Sequence, residues 1–334
     1  MTLFTFTSRW TALRFRFASA NLRQVTSTVV TSNVLALDGE NLAVIVFNTA
    51  VAFDPPASPG LWRRTLLTDE NVEEAGIRFD RLTLGADASF RLEPSARSMV
   101  WFQVLEGDAK LKAFYADSLS DRHSVFLPPA FEATLSMERR PSFWQRLTRR
   151  ENTRGVSLLR AELPDAGRFD PEFSTKQPLF TVSDWTREPV LQCKDDGRKR
   201  VPLVTVEISQ TVAIKVQMVL YPPGTKSASY RHEGAESFIY LLSGRGMAGT
   251  HNQSSSVQKG DLIWFRDGEW HHLEAAADSG MRFVIVYAPG VFRTTWEDPS
   301  KASAWSPTGF DINGLDTARD AREHKAYASR GFLG

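Results

Sequence analysis

Short apolar runs organise this sequence. Residues 42–47, 111–114, 125–127, 201–208, 212–220, 238–242, 262–265 and 282–287 each form such a run. Most are rich in β-branched or aromatic side chains, with Gly, Pro, Asp or Ser close by. Strands of this length, punctuated by turn residues every 8–12 positions, predict an all-β sandwich or barrel. Helical period is sparse. Its best stretch is 143–159, with arginines on one side and Phe143, Trp144 and Leu147 on the other. This predicts a connector helix within a linker that continues as a polar stretch to Arg200. The polar tail after Arg293 predicts a surface-wrapping segment with a short helix near 317–327.

The pattern repeats once. Residues 76–135 read strand, Pro-containing loop, strand, Gly, strand, then Phe126-Leu127-Pro128-Pro129. Residues 206–290 follow the same order, and Gly107 corresponds to Gly244. Two copies of one β-unit agree with 334 residues at roughly 150 per domain. The expected division is an N-terminal arm (1–39), a first barrel (40–137), a linker (138–199), a second barrel (200–292) and a tail (293–334).

Charge narrows the function. Lys and Arg number 40 against 39 Asp and Glu, a net +1. No bulk attraction to nucleic acid or an anionic membrane follows. No apolar window is long enough for a spanning helix. The single cysteine, Cys193, excludes an internal disulfide and a cysteine metal cluster, in keeping with a reducing, cytoplasmic setting. Residues 1–37 carry four arginines, many Ser and Thr, and no acid. That composition resembles an organelle transit peptide, although a frayed arm or an over-long start is the plainer reading.

Of six histidines, two stand where chemistry needs them. His232 precedes a strand in Tyr230-Arg231-His232-Glu233-Gly234-Ala235-Glu236. His271 follows a strand and the turn Arg266-Asp267-Gly268-Glu269. Two imidazoles and one carboxylate on one face make a non-haem Fe(II) site with open positions, and His232, Glu236 and His271 would supply it. The plainer reading keeps His232 as a solvated loop histidine, one of His271 and His272 as a core residue, and Glu236 exposed.

These segments resemble the two motifs of the cupin family. Gly224 is followed by five residues and then Tyr230-Arg231-His232, with Glu236 and Gly244 downstream; Gly260 is followed by five residues and then Arg266-Asp267-Gly268, with His271 three beyond. The resemblance is clear over about 206–290 and weak over 76–135. It implies two tandem jelly-roll barrels, a ligand or metal inside the second, and a homodimer. It departs from the family at Tyr230, where a first histidine is usual, and at Arg266, where proline is usual. Counting forward from His232 puts the carboxylate at Glu236, whereas counting back from Gly244 gives Ser237. A bulge at Gly234-Ala235 is needed to keep Glu236 inward. The first copy has no matching ligand set and reads as structural.

The expected function is a cupin enzyme holding one divalent metal, Fe(II) first, then Mn, Ni or Zn. It would carry out dioxygenation or oxidative rearrangement of a small organic acid or aromatic. Tyr230 would be a fourth ligand or hydrogen-bond donor, and Arg231 or Arg266 would hold an anionic group. Phe238, Tyr240, Trp264 and Trp270 would wall the pocket. The alternatives are a metal Lewis-acid lyase or isomerase, and a metal-free cupin that binds a small molecule or serves a structural role.

Overall fold

The computed structural model describes residues 45–47, 59–67, 76–85, 88–114, 116–137, 155–173, 175–251, 253–317 and 319. Among them the chain is almost entirely β, with one α-helical turn, Val206–Ser209, capped by the Thr205 hydroxyl. The arm 1–37 and the helix expected near 317–327 lie almost wholly outside the described residues.

The first barrel is built from two sheets. Six strands run in the order Thr181–Asp184, His123–Leu127, Met99–Glu106, Val156–Leu163, Arg78–Leu84, Leu61–Leu67. Four more, Ser89–Leu92, Ala133–Met137, Ala109–Lys112 and Ala116–Leu119, close over them. Between the sheets lie Leu82, Leu84, Val100, Phe102, Leu111, Val125, Leu135 and Leu158. On the same inward face, Arg160 bonds Asp80 at 2.6 Å and Glu162 at 3.0 Å. This barrel is filled by its own side chains.

The second barrel has an eight-stranded sheet in the order Ile45–Phe47, Leu262–Phe265, Glu236–Ser243, Met281–Ala288, Lys215–Tyr221, Lys199–Val204, Leu191–Cys193, Trp305–Pro307. Over it lie the three strands Ser254–Gln258, Arg245–Gly249 and His272–Ala275, and the pair Tyr230–Glu233 and Arg293–Trp296. Alternation assigns each face. Ile239, Leu241, Ile263, Phe265, Phe283 and Ile285 point into the barrel. Phe238, Tyr240, Leu262, Trp264, Val284 and Val286 point the other way, into one core shared with Phe79, Trp101, Phe126 and Leu159 of the first barrel. The two large sheets therefore pack back to back, with Phe79 and Phe238 ring centres 5.1 Å apart.

Three boundaries differ from the sequence reading. Val156–Leu163 is a central strand of the first barrel, paired on both sides; the described end of the expected 143–159 helix is thus strand. Its β-branched and leucine content meets two ready partners, and tertiary pairing outweighs the helical spacing. Thr181–Asp184 also joins the first sheet. Ile45–Phe47, expected in the first barrel, pairs with Leu262–Phe265 of the second.

Candidate ligand site in the C-terminal barrel

Backbone pairing brings the motif residues together. In Tyr230–Glu233 burial alternates, so Tyr230 and His232 face inward while Arg231 and Glu233 do not. The turn after Leu262–Phe265 is tied to this strand. Gly268 N–H donates to the His232 carbonyl at 2.7 Å, and Gly234 N–H donates to Asp267 Oδ1 at 2.8 Å. Gly268 holds φ +70°, a conformation that glycine adopts without strain. Tyr230 and His271 then exchange both backbone hydrogen bonds, at 3.0 and 2.8 Å. Residues paired this way project to the same face.

The three rings form a triangle. Ring centres are 4.5 Å apart for Tyr230–His271, 5.2 Å for Tyr230–His232 and 5.3 Å for His232–His271. Below them runs a row across four strands: Lys215 opposite Tyr287, Tyr287 opposite Ser237, Ser237 opposite Phe265. Phe265 stacks on His271 at 4.2 Å, and Tyr287 meets His232 edge-on at 5.0 Å. Phe292 closes the side at 4.6 Å from His232.

Each imidazole is held by one nitrogen. His271 Nδ1 donates to the Glu269 carbonyl at 2.7 Å, and His232 Nδ1 pairs with the Thr294 hydroxyl at 3.0 Å. Both Nε2 atoms are buried and have no protein partner among the described residues. On His271, Nε2 therefore carries a lone pair, which either an O–H donor or a cation satisfies. Both rings are neutral near pH 7. Burial, then His271, Arg200 and Lys215, hold His232 well below the usual range. Burial pushes His271 down to about 4, against the opposing bond to Glu269. Burial also raises the Tyr230 phenol well above 10, so near pH 7 it keeps its proton and can donate a hydrogen bond.

Glu236 does not join this group. It pairs with Ala288, which faces the shared core, and its Oε1 accepts from Trp264 Nε1 at 3.0 Å. Ser237 takes the inward place. The register shift in this strand lies between Leu241 and Ser243, not at Gly234-Ala235, so no bulge turns Glu236 inward. Among the described residues no three His, Cys, Asp or Glu side chains gather to hold a metal ion. The Fe(II) triad is therefore corrected: its two histidines converge, but its carboxylate lies on the far side of the sheet.

Arg231 and Arg266 are corrected as well. Arg231 pairs with Glu233 and lies 4.8 Å above the Trp270 ring. Arg266 is exposed in the turn, 5.4 Å from the Trp264 ring centre. Phe238, Tyr240 and Trp264 belong to the inter-barrel core rather than to a pocket. The residues that sequence reasoning missed are Lys215, Arg200 and Tyr287. A lysine inside the run Val-Ala-Ile-Lys-Val-Gln-Met-Val was the available signal, because such a position is seldom charged without a role.

Residues 217–287 match the Cupin domain family. That stretch of the chain is similar to the cupin domain. The curated relatives are distant. An oxalate-binding protein of Thermotoga maritima is 28% identical over 65 residues, 20% of this chain and 54% of that protein, so the match spans about half of the relative's length. An uncharacterized protein of Methanocaldococcus jannaschii is 26% identical over 94 residues, 28% of this chain and 75% of that protein. Among solved structures, Bacillus subtilis oxalate decarboxylase, a protein with Mn(II) centres, superposes with TM-score 0.58 at 12% identity, covering 78% of this chain and 81% of its own. The E. coli protein Ylba gives 0.55 at 13%, covering 74% and 91%. At such identities the likeness concerns the jelly-roll fold. No helix among the described residues is long and apolar enough to cross a membrane.

Proposed function

We propose that the C-terminal barrel binds a small organic acid between Tyr230, His232, His271 and Lys215. The observation that carries this reading is the pair of buried, unpartnered Nε2 atoms at 1% residue exposure, set in an aromatic wall. A buried polar atom left unpaired costs about 1–3 kcal/mol, and two of them aimed into one aromatic-lined space support a polar guest here. Around it the charge is positive, since Lys215 and Arg200 both act on His232. His271 presents a lone pair and needs a proton on its partner. A guest with a carboxylate and an O–H, such as a hydroxy acid or a half-protonated dicarboxylic acid, meets both demands. The distant relative that binds oxalate has a guest of this class. The first barrel, filled by leucines and the Arg160 ion cluster, would serve as a structural partner.

The test is calorimetric titration of the full chain with oxalate, lactate and benzoate. Oxalate or lactate should bind at one site per chain. His271→Ala should weaken binding by roughly tenfold or more, the scale of one buried hydrogen bond to a charged group. His272→Ala should change it less than about twofold, because His272 faces out of the barrel. Failure of every acid to bind, or equal losses in the two variants, would refute the reading.

A further inference from the structure

The donor set does not fit a divalent metal, and the same interior contains a different cation. Lys215 is 3% exposed and stands on the inward face of its strand, opposite Tyr287. Its Nζ lies 4.9 Å from the centre of the Phe292 ring and 5.6 Å from that of Tyr287. Those two rings also flank His232, at 4.6 and 5.0 Å. The ammonium and the imidazole thus share one aromatic box. Arg200 faces the same interior from the neighbouring strand, opposite Val219, and stacks on Trp305 at 3.9 Å. The charged groups that act on Lys215 are Arg200 and Glu207. Where a metal-binding carboxylate was expected, Ser237 faces in.

We infer that Lys215 takes the electrostatic place of a metal ion in this barrel, making it a metal-free anion receptor that rejects divalent cations. This rests on the organic-acid reading above and specifies how the guest's charge is met. A divalent ion at the two Nε2 atoms would have two neutral ligands, with the Glu236 carboxylate on the far side of the sheet, and would lie in the field of Lys215 and Arg200, which both act on His232. Glu207 offsets Lys215 in part, and in a low-dielectric interior the remaining like charges repel. An organic anion in the same place gains from both cations. The aromatic box keeps water from screening them.

The experiment uses the full-length chain, stripped with EDTA. One aliquot is equilibrated with Mn(II) or Co(II), gel-filtered, and analysed by elemental analysis and electron paramagnetic resonance. A second is titrated calorimetrically with oxalate in EDTA at about pH 6, where the Lys215 amine carries its proton. The expected result is less than about 0.1 metal per chain, with oxalate binding undiminished by the chelator. Lys215→Met should lower oxalate affinity about 30-fold or more, the scale of removing one buried charge partner, with an unchanged circular dichroism spectrum. One Mn(II) retained per wild-type chain, or oxalate binding that requires added metal, overturns the inference. So does oxalate binding by Lys215→Met at wild-type strength, and all three results leave organic-acid binding at Tyr230, His232 and His271 standing. Absence of binding by any acid to the wild-type chain removes that reading and this inference together.

Discussion

Replacing Lys215 by methionine should stabilise the protein, and by an amount that depends on pH. Burial and the charge of Arg200 push the ammonium from its usual 10.5 down to about 7. At about 1.4 kcal/mol for each tenfold change, that displacement is a penalty of about 5 kcal/mol on the charged form. Below pH 7 both the native and the unfolded chain carry the proton, and the penalty acts in full. Between 7 and 10.5 the native amine is neutral while the unfolded one stays protonated. The unfolded state then binds more protons, so the contribution of this residue to stability rises with pH. Above 10.5 the penalty is gone. Methionine has a similar length and no charge, so the variant should exceed the wild type most at low pH. Guanidinium unfolding at about pH 6 and about pH 10 measures both proteins by linear extrapolation. Titrations elsewhere in the chain cancel in the difference. A gap that narrows by several kcal/mol across this window is expected, on the order of the penalty above. A gap of constant size, or a variant less stable than wild type at low pH, would refute the buried-ammonium account. A residue that costs the fold this much is consistent with selection for binding.

Two further outcomes follow from the site's surroundings. Glu236→Ala should cost about 1–3 kcal/mol in chemical denaturation, since it leaves the buried Trp264 N–H without its acceptor; acid binding should stay within about threefold of wild type, and a lost guest with unchanged stability would return Glu236 to the site. Gly244→Ala should destabilise by more than about 2 kcal/mol or prevent folding, because the residue holds φ +85° and an added Cβ would lie 1.8 Å from the Gly280 carbonyl oxygen; a melting temperature equal to wild type would contradict the close strand approach there.

Most strands were legible because their apolar runs are short and bounded by turn residues. Leu262–Phe265 matches its apolar run to the residue, and Lys199–Val204, Lys215–Tyr221, Glu236–Ser243 and Met281–Ala288 lie close to theirs. The convergence of His232 with His271 was legible in the motif spacing. What failed was direction within a strand. Glu236 and Ser237 differ by one step, and only pairing with Tyr287 and Phe265 decides which faces the barrel. Of the two counts, the one from Gly244 agreed with that pairing. Lys215 stood out as a charge within an apolar run, but its neighbours Ile214 and Val216 are just as buried, so the run did not say which face it takes. Val156–Leu163 was misread because its partners, Arg78–Leu84 and Met99–Glu106, lie far back in the chain.

The back-to-back sheets also bear on modularity. Trp101, Phe126 and Leu159 of one barrel and Met218, Phe238 and Val284 of the other share a single apolar layer. Neither barrel can be cut out without turning that layer into an exposed apolar surface, which solution proteins seldom carry. Ile45–Phe47, beside Leu262–Phe265, adds a stitch from the opposite end of the chain. The first barrel, filled by leucines and the Arg160 ion cluster, is thus indispensable to the second whether or not it binds anything itself. It is the wall against which the second barrel is built, and mutations of Phe79 or Trp101 would reach the His232–His271 face only through the sheet they support.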